Sequence, residues 1–461
     1  MALTLRHYQQ RAVDDLRRSF RSGSRAPLLV LPTGGGKTII FSVITASAAA
    51  RGRRVLVLVH RRELIAQASA KLAAANVPHG AIAAGVPPTH HPVQVASVQT
   101  LIRRLPRIDW HPDLIIIDEA HHAAAGSWAR ILDHWPDALR LGVTATPCRL
   151  DGRGLAGAFD HLVAGPPVAQ LIADGFLSPS RIYAPPCAAD LTRISSRAGD
   201  YAADQAAERM NRPTVTGNAI DHYRRLCDGA PAIAFCCNAA HAEAVATQFR
   251  VAGYAAATIL GTTPALVRDQ LVTDLGRGIL QVLVSVDVVS EGFDCPGATA
   301  AILLRPTQSE ALYLQQVGRV LRPAPGKLHA LILDHVGNVH RHGWPDDPRA
   351  WALDSQPRRK RADGTPAPNV RTCPECFAAF RPQLLCPTCG AYCAPPKPRQ
   401  IKQVDGDLKE LQREGARQRT AERRSARTLQ QLIHVGQARG MRNPVAWAKH
   451  VHYARQLKNG A

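Results

Sequence analysis

Along residues 1 to about 165, hydrophobic positions fall in short unbroken runs separated by stretches of helical spacing. The runs at 28–31, 55–59, 93–96, 114–117 and 141–144 read as strands, and 63–75 and 128–135 as two of the helices between them. Runs without polar alternation are covered on both faces, so the pattern predicts a parallel sheet with helices on either side. A second block of the same kind runs from about 180 to 340, with strands at 233–236, 255–259, 280–284, 300–303 and 330–333. Gly165-Pro166-Pro167 and Pro185-Pro186 break the pattern between the blocks, and 186–215 reads as an inserted loop or helix pair. The fold class is therefore α/β, with two lobes of similar size at 1–165 and 166–340. After 341 the patterning stops. A Pro/Arg-rich stretch at 341–368, with Arg358-Arg359-Lys360-Arg361, reads as an exposed linker. A compact cysteine unit occupies 369–395, and 396–461 is a basic tail, helical in propensity.

The first of these strands leads directly into chemistry. Leu31-Pro32-Thr33-Gly34-Gly35-Gly36-Lys37-Thr38 joins the apolar run at 28–31 to Ile39-Ile40-Phe41, giving strand, Gly-rich loop, Lys-Thr and helix in the order of a P-loop. Gly34 and Gly36 let backbone N–H groups crowd a phosphate where a Cβ would clash, and the helix adds its positive end. Lys37 is placed to reach the β- and γ-phosphates of ATP, and Thr38 to offer a hydroxyl to Mg²⁺. Leu31 stands where the longer form of the motif has its first glycine, so the match is to the shorter Thr-Gly-x-Gly-Lys-Thr form. A plain flexible turn explains the glycines but not their context.

Asp118-Glu119-Ala120-His121 follows the strand at 114–117. Adjacent carboxylates at a strand end, facing a P-loop, suit ATP hydrolysis. Asp118 would hold Mg²⁺ through water, Glu119 would orient or deprotonate the attacking water, and His121 would couple the site to the second lobe. Two Cys-Pro-x-Cys units, Cys373/Cys376 and Cys386/Cys389, can present four thiolates to a structural Zn²⁺. Redox cysteine pairs are the rival reading, without a thioredoxin-like context. Cys393 is a poorer ligand by spacing, and the other six of the eleven cysteines are scattered fillers.

Composition adds a partner. The formal net charge is +21, and residues 351–461 carry 21 Lys and Arg against 8 Asp and Glu. That imbalance fits a polyanion, foremost nucleic acid, while a solvated tail would carry it equally well. No run approaches the roughly 18 apolar residues of a membrane span, and residues 1–11 show no signal-peptide pattern, so a cytoplasmic protein of a bacterial or phage-infected cell is expected.

In order and spacing these motifs resemble superfamily 2 helicases of the DEAH-box type, over roughly residues 3–335. The resemblance implies two RecA-like lobes closing on ATP. Leu5-Arg6-x-Tyr8-Gln9 is similar to the adenine-reading Q motif, with Gln9 on the base. His60-Arg61-Arg62 and Ser97-Val98-Gln99-Thr100 resemble the motifs that line the nucleic-acid face, which implicates Arg61, Gln99 and Thr100. Thr144-Ala145-Thr146-Pro147 resembles the coupling motif. Gln315-Gln316-Val317-Gly318-Arg319-Val320-Leu321-Arg322 matches Gln-x-x-Gly-Arg-x-x-Arg, implying catalytic roles for Gln315 and Arg319, with Arg322 as the arginine finger. Ser290-Glu291-Gly292-Phe293-Asp294 is similar to motif V, with Gly292 and Asp294 toward the nucleotide; Val286 departs from the usual Thr. The zinc-ribbon unit and the ending Asn443-Pro444-x-Ala446-Trp447-Ala448 are similar to RadD-like bacterial and phage proteins. The likeness implies a DNA-directed helicase or translocase of recombination, repair or fork processing, acting on single-stranded or branched DNA, with single-strand-binding or recombination proteins as further partners. Zinc unit and tail read equally as a duplex grip or a protein tether. A remodelling ATPase that does not unwind, an RNA helicase, and a binding protein with a vestigial motor are the other readings; Lys37, Glu119 and Arg322 argue against the last.

Overall fold

Strand residues that are apolar at every position can bury both faces, and the first sheet does so. The computed structural model describes residues 4–60, 62–123, 126–148, 154–185, 194–197, 200–210, 213–286, 295, 297–354, 370–394, 425–426, 428–439, 441 and 443–459. In the first lobe β1 (Pro27–Val30), β2 (Val55–Val59), β3 (Gly80–Ile82), β4 (Val93–Ser97), β5 (Leu114–Asp118), β6 (Leu139–Thr144) and β7 (His161–Ala164) form one sheet in the order β3-β4-β2-β5-β6-β1-β7. Every pairing in it is parallel. Val55, Val57 and Val59 enter the core on one face, and Leu56 and Leu58 the core on the other. Helix α1 (His7–Arg21) packs Val13 and Leu16 on the first face, and α2 (Lys37–Ala49) adds Ile40 and Phe41.

The second lobe contains β8 (Ser180–Tyr183), β9 (Ser196–Arg197), β10 (Asp200–Tyr201), β11 (Ala232–Phe235), β12 (Ala256–Ile259), β13 (Val282–Ser285), β14 (Ala300–Leu303) and β15 (Ala330–Asp334). Its sheet runs β12-β13-β11-β14-β15-β8, all parallel. Then β17 (Ala378–Phe380) and β16 (Arg371–Thr372) from the cysteine unit add antiparallel strands at the β8 edge. The strands at 80–82, 161–164 and 180–183 are absent from the pattern-based expectation. They are short strands, the first two at the sheet's edges, with Gly, His, Ser or Arg among their residues, so no apolar run announces them.

The stretch beginning at 341 is not an exposed spacer throughout. Trp344 is 8% exposed, Trp351 and Leu353 pack against the first lobe, and Leu353 O accepts from Leu155 N at 2.7 Å. Aromatic and aliphatic residues among the prolines bury this segment against their charged surroundings. Residues 355–369, including the basic Arg358–Arg361 run, lie outside the described residues. The tail from 396 is a separate unit. In it the helices Leu429–Ala438 and Pro444–Asn459 meet through Leu432, Gly436 and Ala448, the first capped by a reciprocal Thr428–Gln431 box.

Candidate nucleotide and nucleic-acid site

In parallel sheets the loops leaving strand C-termini gather on one edge. That edge of the first lobe collects the P-loop, the carboxylate pair and the threonine motif. Leu31 continues from β1, its N–H donating to Thr144 O at 2.9 Å, and Gly35 N closes a turn on Pro32 O. Gly34 and Gly36 both sit at φ +87°, which an L side chain rarely adopts. A Cβ on Gly36 would also lie 2.3 Å from Gln9 Nε2. The loop thus delivers Lys37 and Thr38 at the N-terminus of α2, where backbone N–H groups lack helical acceptors. Desolvation lowers the Lys37 pKa, while the charges of Glu119 and Asp118 oppose that shift.

Asp118 ends β5 and Glu119 follows with φ 50°, a left-handed backbone that non-glycine residues adopt rarely. Asp118 Oδ1 accepts from Glu119 N at 3.0 Å. Burial first, then the neighbouring Glu119 charge, push the Asp118 carboxyl up to about 7. His121 Nδ1 lies 3.4 Å from Glu119 Oε2 and 3.2 Å from Thr144 Oγ1. Thr144 Oγ1 donates to Thr146 O at 2.9 Å and accepts from Thr146 N at 3.2 Å. The four sequence-selected residues Glu119, His121, Thr144 and Thr146 therefore form one buried chain.

Gln9 is 1% exposed and turned onto the P-loop: its amide donates to Gly35 O at 3.2 Å, and its Oε1 accepts from Arg6 N at 3.0 Å. Tyr8 Oη donates to the same carbonyl at 2.8 Å. Beside them the Phe176 ring lies tilted against Tyr8, 5.1 Å between centroids, under the Arg6 guanidinium at 4.6 Å. Phe176 escaped the sequence reading because it sits in the unpatterned segment between the blocks.

The second lobe reaches this edge through the helix Glu310–Gly318. Gln315 and Arg319 are buried, and Gly318 packs so closely that a Cβ there would stand 2.6 Å from Thr33 Cβ. The Arg322 side chain lies against Gly34, and the charges of Arg319 and Arg322 both act on Lys37. Lys327, unnoticed in the sequence, donates from Nζ to Arg322 O at 2.8 Å and to Ala298 O at 2.7 Å. Gly292 and Asp294 lie outside the described residues.

The comparisons with known proteins agree with this architecture. Residues 2–149 match the family model of the type III restriction enzyme res subunit, and 218–324 match the helicase conserved C-terminal domain. A 51.5 kDa protein of Lactococcus phage (isolate 7-9) is 31% identical over 414 residues, which covers 89% of this chain and 88% of the phage protein. The chain belongs to superfamily 2 of the ATP-dependent helicases and translocases. It is also 32% identical to the candidate ATP-dependent helicase IRC3 of Saccharomyces cerevisiae, over 73% of this chain and 52% of that protein. Among solved structures, a fragment of a candidate HsdR subunit of a type I restriction enzyme from Vibrio vulnificus YJ016 superposes with a TM-score of 0.58 at 22% identity. The superposition covers 74% of this chain and 67% of the fragment, and it shows the shared motor fold.

The residues selected from the sequence as nucleic-acid contacts follow the C-terminal ends of β2 and β4. Gln99 is exposed at the end of β4, its amide donating to His60 O at 2.7 Å. Thr100 gives its N–H to the helix-capping Ser97 Oγ at 3.2 Å. Arg61 lies outside the described residues, whereas His60 stacks on His122 at 4.5 Å. Cys373, Cys376, Cys386 and Cys389 bring their sulfurs within 4.8 Å of one another. The Cys373–Cys389 and Cys376–Cys386 distances are both 3.6 Å, near the roughly 3.8 Å edge of a tetrahedron with Zn–S bonds of about 2.3 Å. The Cys393 thiol points instead to Ala391 O at 3.7 Å. No helix among the described residues is long and apolar enough to cross a membrane.

Proposed function

We propose that this chain is a RadD-like, DNA-dependent motor that hydrolyses ATP between its lobes to move along a single strand. The observation that carries the reading is the approach of the second lobe to the P-loop, Arg322 against Gly34 and Gly318 against Thr33, with the charges of Arg319, Arg322, Asp118 and Glu119 all felt at Lys37. Lys37 and the N–H groups of Gly34 and Gly36 hold the phosphates, and Gly292 and Asp294 of the second lobe add to the nucleotide side. The buried Asp118 carboxylate and the Thr38 hydroxyl are hard oxygen donors fitted to Mg²⁺, which when bound neutralises phosphate charge. Glu119 orients the attacking water and accepts its proton. Arg319 and Arg322 stabilise the charge that develops on the transferred phosphoryl group, with Gln315 placing them. Because the arginines come from the opposite lobe, hydrolysis requires closure. The Glu119–His121–Thr144–Thr146 chain is suited to pass that state to the strand-binding face at Arg61, Gln99 and Thr100.

DNA is favoured over RNA by the match of residues 2–149 to the restriction-enzyme res subunit. Contacts made mainly to phosphates imply weak sequence preference and strong salt dependence. The domain division proposed is 1–165, 166–340, 341–368, 369–395 and 396–461. In that division 369–395 is a zinc ribbon, where a bound Zn²⁺ would hold the fold of so small a unit. Steady-state ATP hydrolysis with and without single-stranded DNA, forked DNA and RNA tests the proposal. Strong stimulation by DNA is expected. DNA binding without any hydrolysis would overturn it, and stimulation by RNA alone would move the substrate class.

A further inference from the structure

At the opposite edge of the first sheet, away from the nucleotide, the C-termini of α1 and α2 and the N-termini of β5 and β6 enclose a cavity of about 940 Å³. Its floor is apolar, with Leu16, Phe20, Ile44 and Trp135, and its rim carries Arg17, Arg21, Arg25, Arg51 and Arg53. Two aspartates line it as well. Asp113 is committed to Arg53 at 3.1 Å and to Arg54 N at 2.7 Å. Arg25 donates to the neutral carbonyl of Asp137 at 2.6 Å, so its charge is not cancelled there. Arg17 faces Asp14 at 3.5 Å, and Arg21 and Arg51 have no ion pair or hydrogen bond among the described residues.

Helix C-termini attract arginine, which is the ordinary reason to find some here. Each end is worth roughly half a negative charge. Two ends, the two lining aspartates and the Asp14 paired with Arg17 leave the five arginines about one positive charge in excess. One more donor is spare. Trp135 is 4% exposed, and its indole N–H has no acceptor among the described residues. Guanidinium forks around a flat apolar floor match a polynucleotide, with phosphates on the rim and a base or sugar below.

We propose that this cavity is a second nucleic-acid site, taking a phosphodiester segment outside the motor's own track. The inference rests on the nucleic-acid reading above. It assigns the basic N-terminal edge of the first lobe to the far arm of a long or branched substrate, which would keep the motor on DNA between steps.

The test is the double variant Arg21→Glu/Arg51→Glu in the full chain, both sites being exposed and remote from the ATP cleft. Binding is read by fluorescence anisotropy over a salt series, with a short oligonucleotide that fills only the track and with forked DNA carrying a long arm. For the variant, the expected result is an unchanged maximal ATPase rate on the short strand. Affinity for forked DNA should fall about tenfold or more, with the slope of log K against log salt smaller by about two. Equal affinities and slopes for wild type and variant would overturn the site. Loss of an oligo-glutamate peptide at this face, with forked-DNA binding intact, would overturn it too and assign the cavity to acidic protein. A wild type that shows no DNA stimulation at all would instead remove the motor reading, which the short-strand arm detects separately.

Discussion

Gly318 offers the sharpest test of hydrolysis by closure. It ends the helix Glu310–Gly318, and a methyl group there would meet Thr33 Cβ at 2.6 Å, Cγ2 at 3.0 Å and Oγ1 at 3.2 Å. Carbon atoms pack at about 3.5–4.0 Å, so Gly318→Ala must push the lobes apart by about 1 Å at the point where Arg319 and Arg322 enter. Thr33 cannot step aside easily, because it is buried in the P-loop. Overpacking of this kind costs about 1–3 kcal/mol, which here falls on the closed state alone. At 1.36 kcal/mol per tenfold, kcat should fall roughly 5- to 150-fold. The same change replaces a helical glycine by the best helix former, so the second lobe should lose no stability. The signature is therefore slower hydrolysis in a protein that melts at or above the wild-type temperature. KM for ATP should move little, since the P-loop itself is intact. Steady-state ATPase at saturating DNA, alongside thermal melting, reads all three quantities. A kcat within twofold of wild type would refute the argument that these lobes must touch at Thr33.

Other consequences are as direct. Glu119→Gln keeps the shape but removes the base, so hydrolysis should drop by about 10²–10⁴ while nucleotide binding persists; retained turnover would assign the base elsewhere. Lys327→Met leaves the carbonyls of Ala298 and Arg322 without their donor, and should lower kcat about tenfold with KM nearly constant. Recovery in Lys327→Arg would identify positioning of the Arg322 segment, and an equal defect in both variants would count against it. Cys386→Ser should abolish zinc, measured as one metal per chain in the wild type, and open the 370–394 unit to proteolysis; an undiminished metal content would remove Cys386 from the ligand set. Burial holds His241 at about 4, His335 at about 3 and His342 at about 4, each below the 6.5 of an unfolded chain. The unfolded state then binds more protons between those values, so the stability is whole above about pH 6.5 and is lost as pH falls toward 4. At pH 5 each histidine would cost about 2 kcal/mol, and an unchanged urea midpoint between pH 7 and pH 5 would contradict their neutral burial.

The sequence by itself determined most of the motor. Short unbroken apolar runs between helical stretches fit strands covered on both faces, and a strand, a glycine-rich loop ending in Lys-Thr and a helix follow one another as in a P-loop. The placement of Lys37 at a helix start, of Asp118 and Glu119 at a strand end, and of the paired Cys-x-x-Cys units in one cluster was legible because each is a local pattern of fixed spacing. What the tertiary structure decided is contact between distant segments. Phe176 stands under Arg6, Lys327 holds the main chain of Arg322, and Gly318 lies on Thr33, pairings 285 residues apart at the widest. The cysteine unit extends the second sheet through β8, a strand too short and polar to announce itself. The basic cavity of the first lobe gathers arginines from α1 and from the turns that follow α1 and α2. No local rule links such residues, because their neighbours are chosen by how whole sheets and helices pack, and packing depends on the entire chain at once.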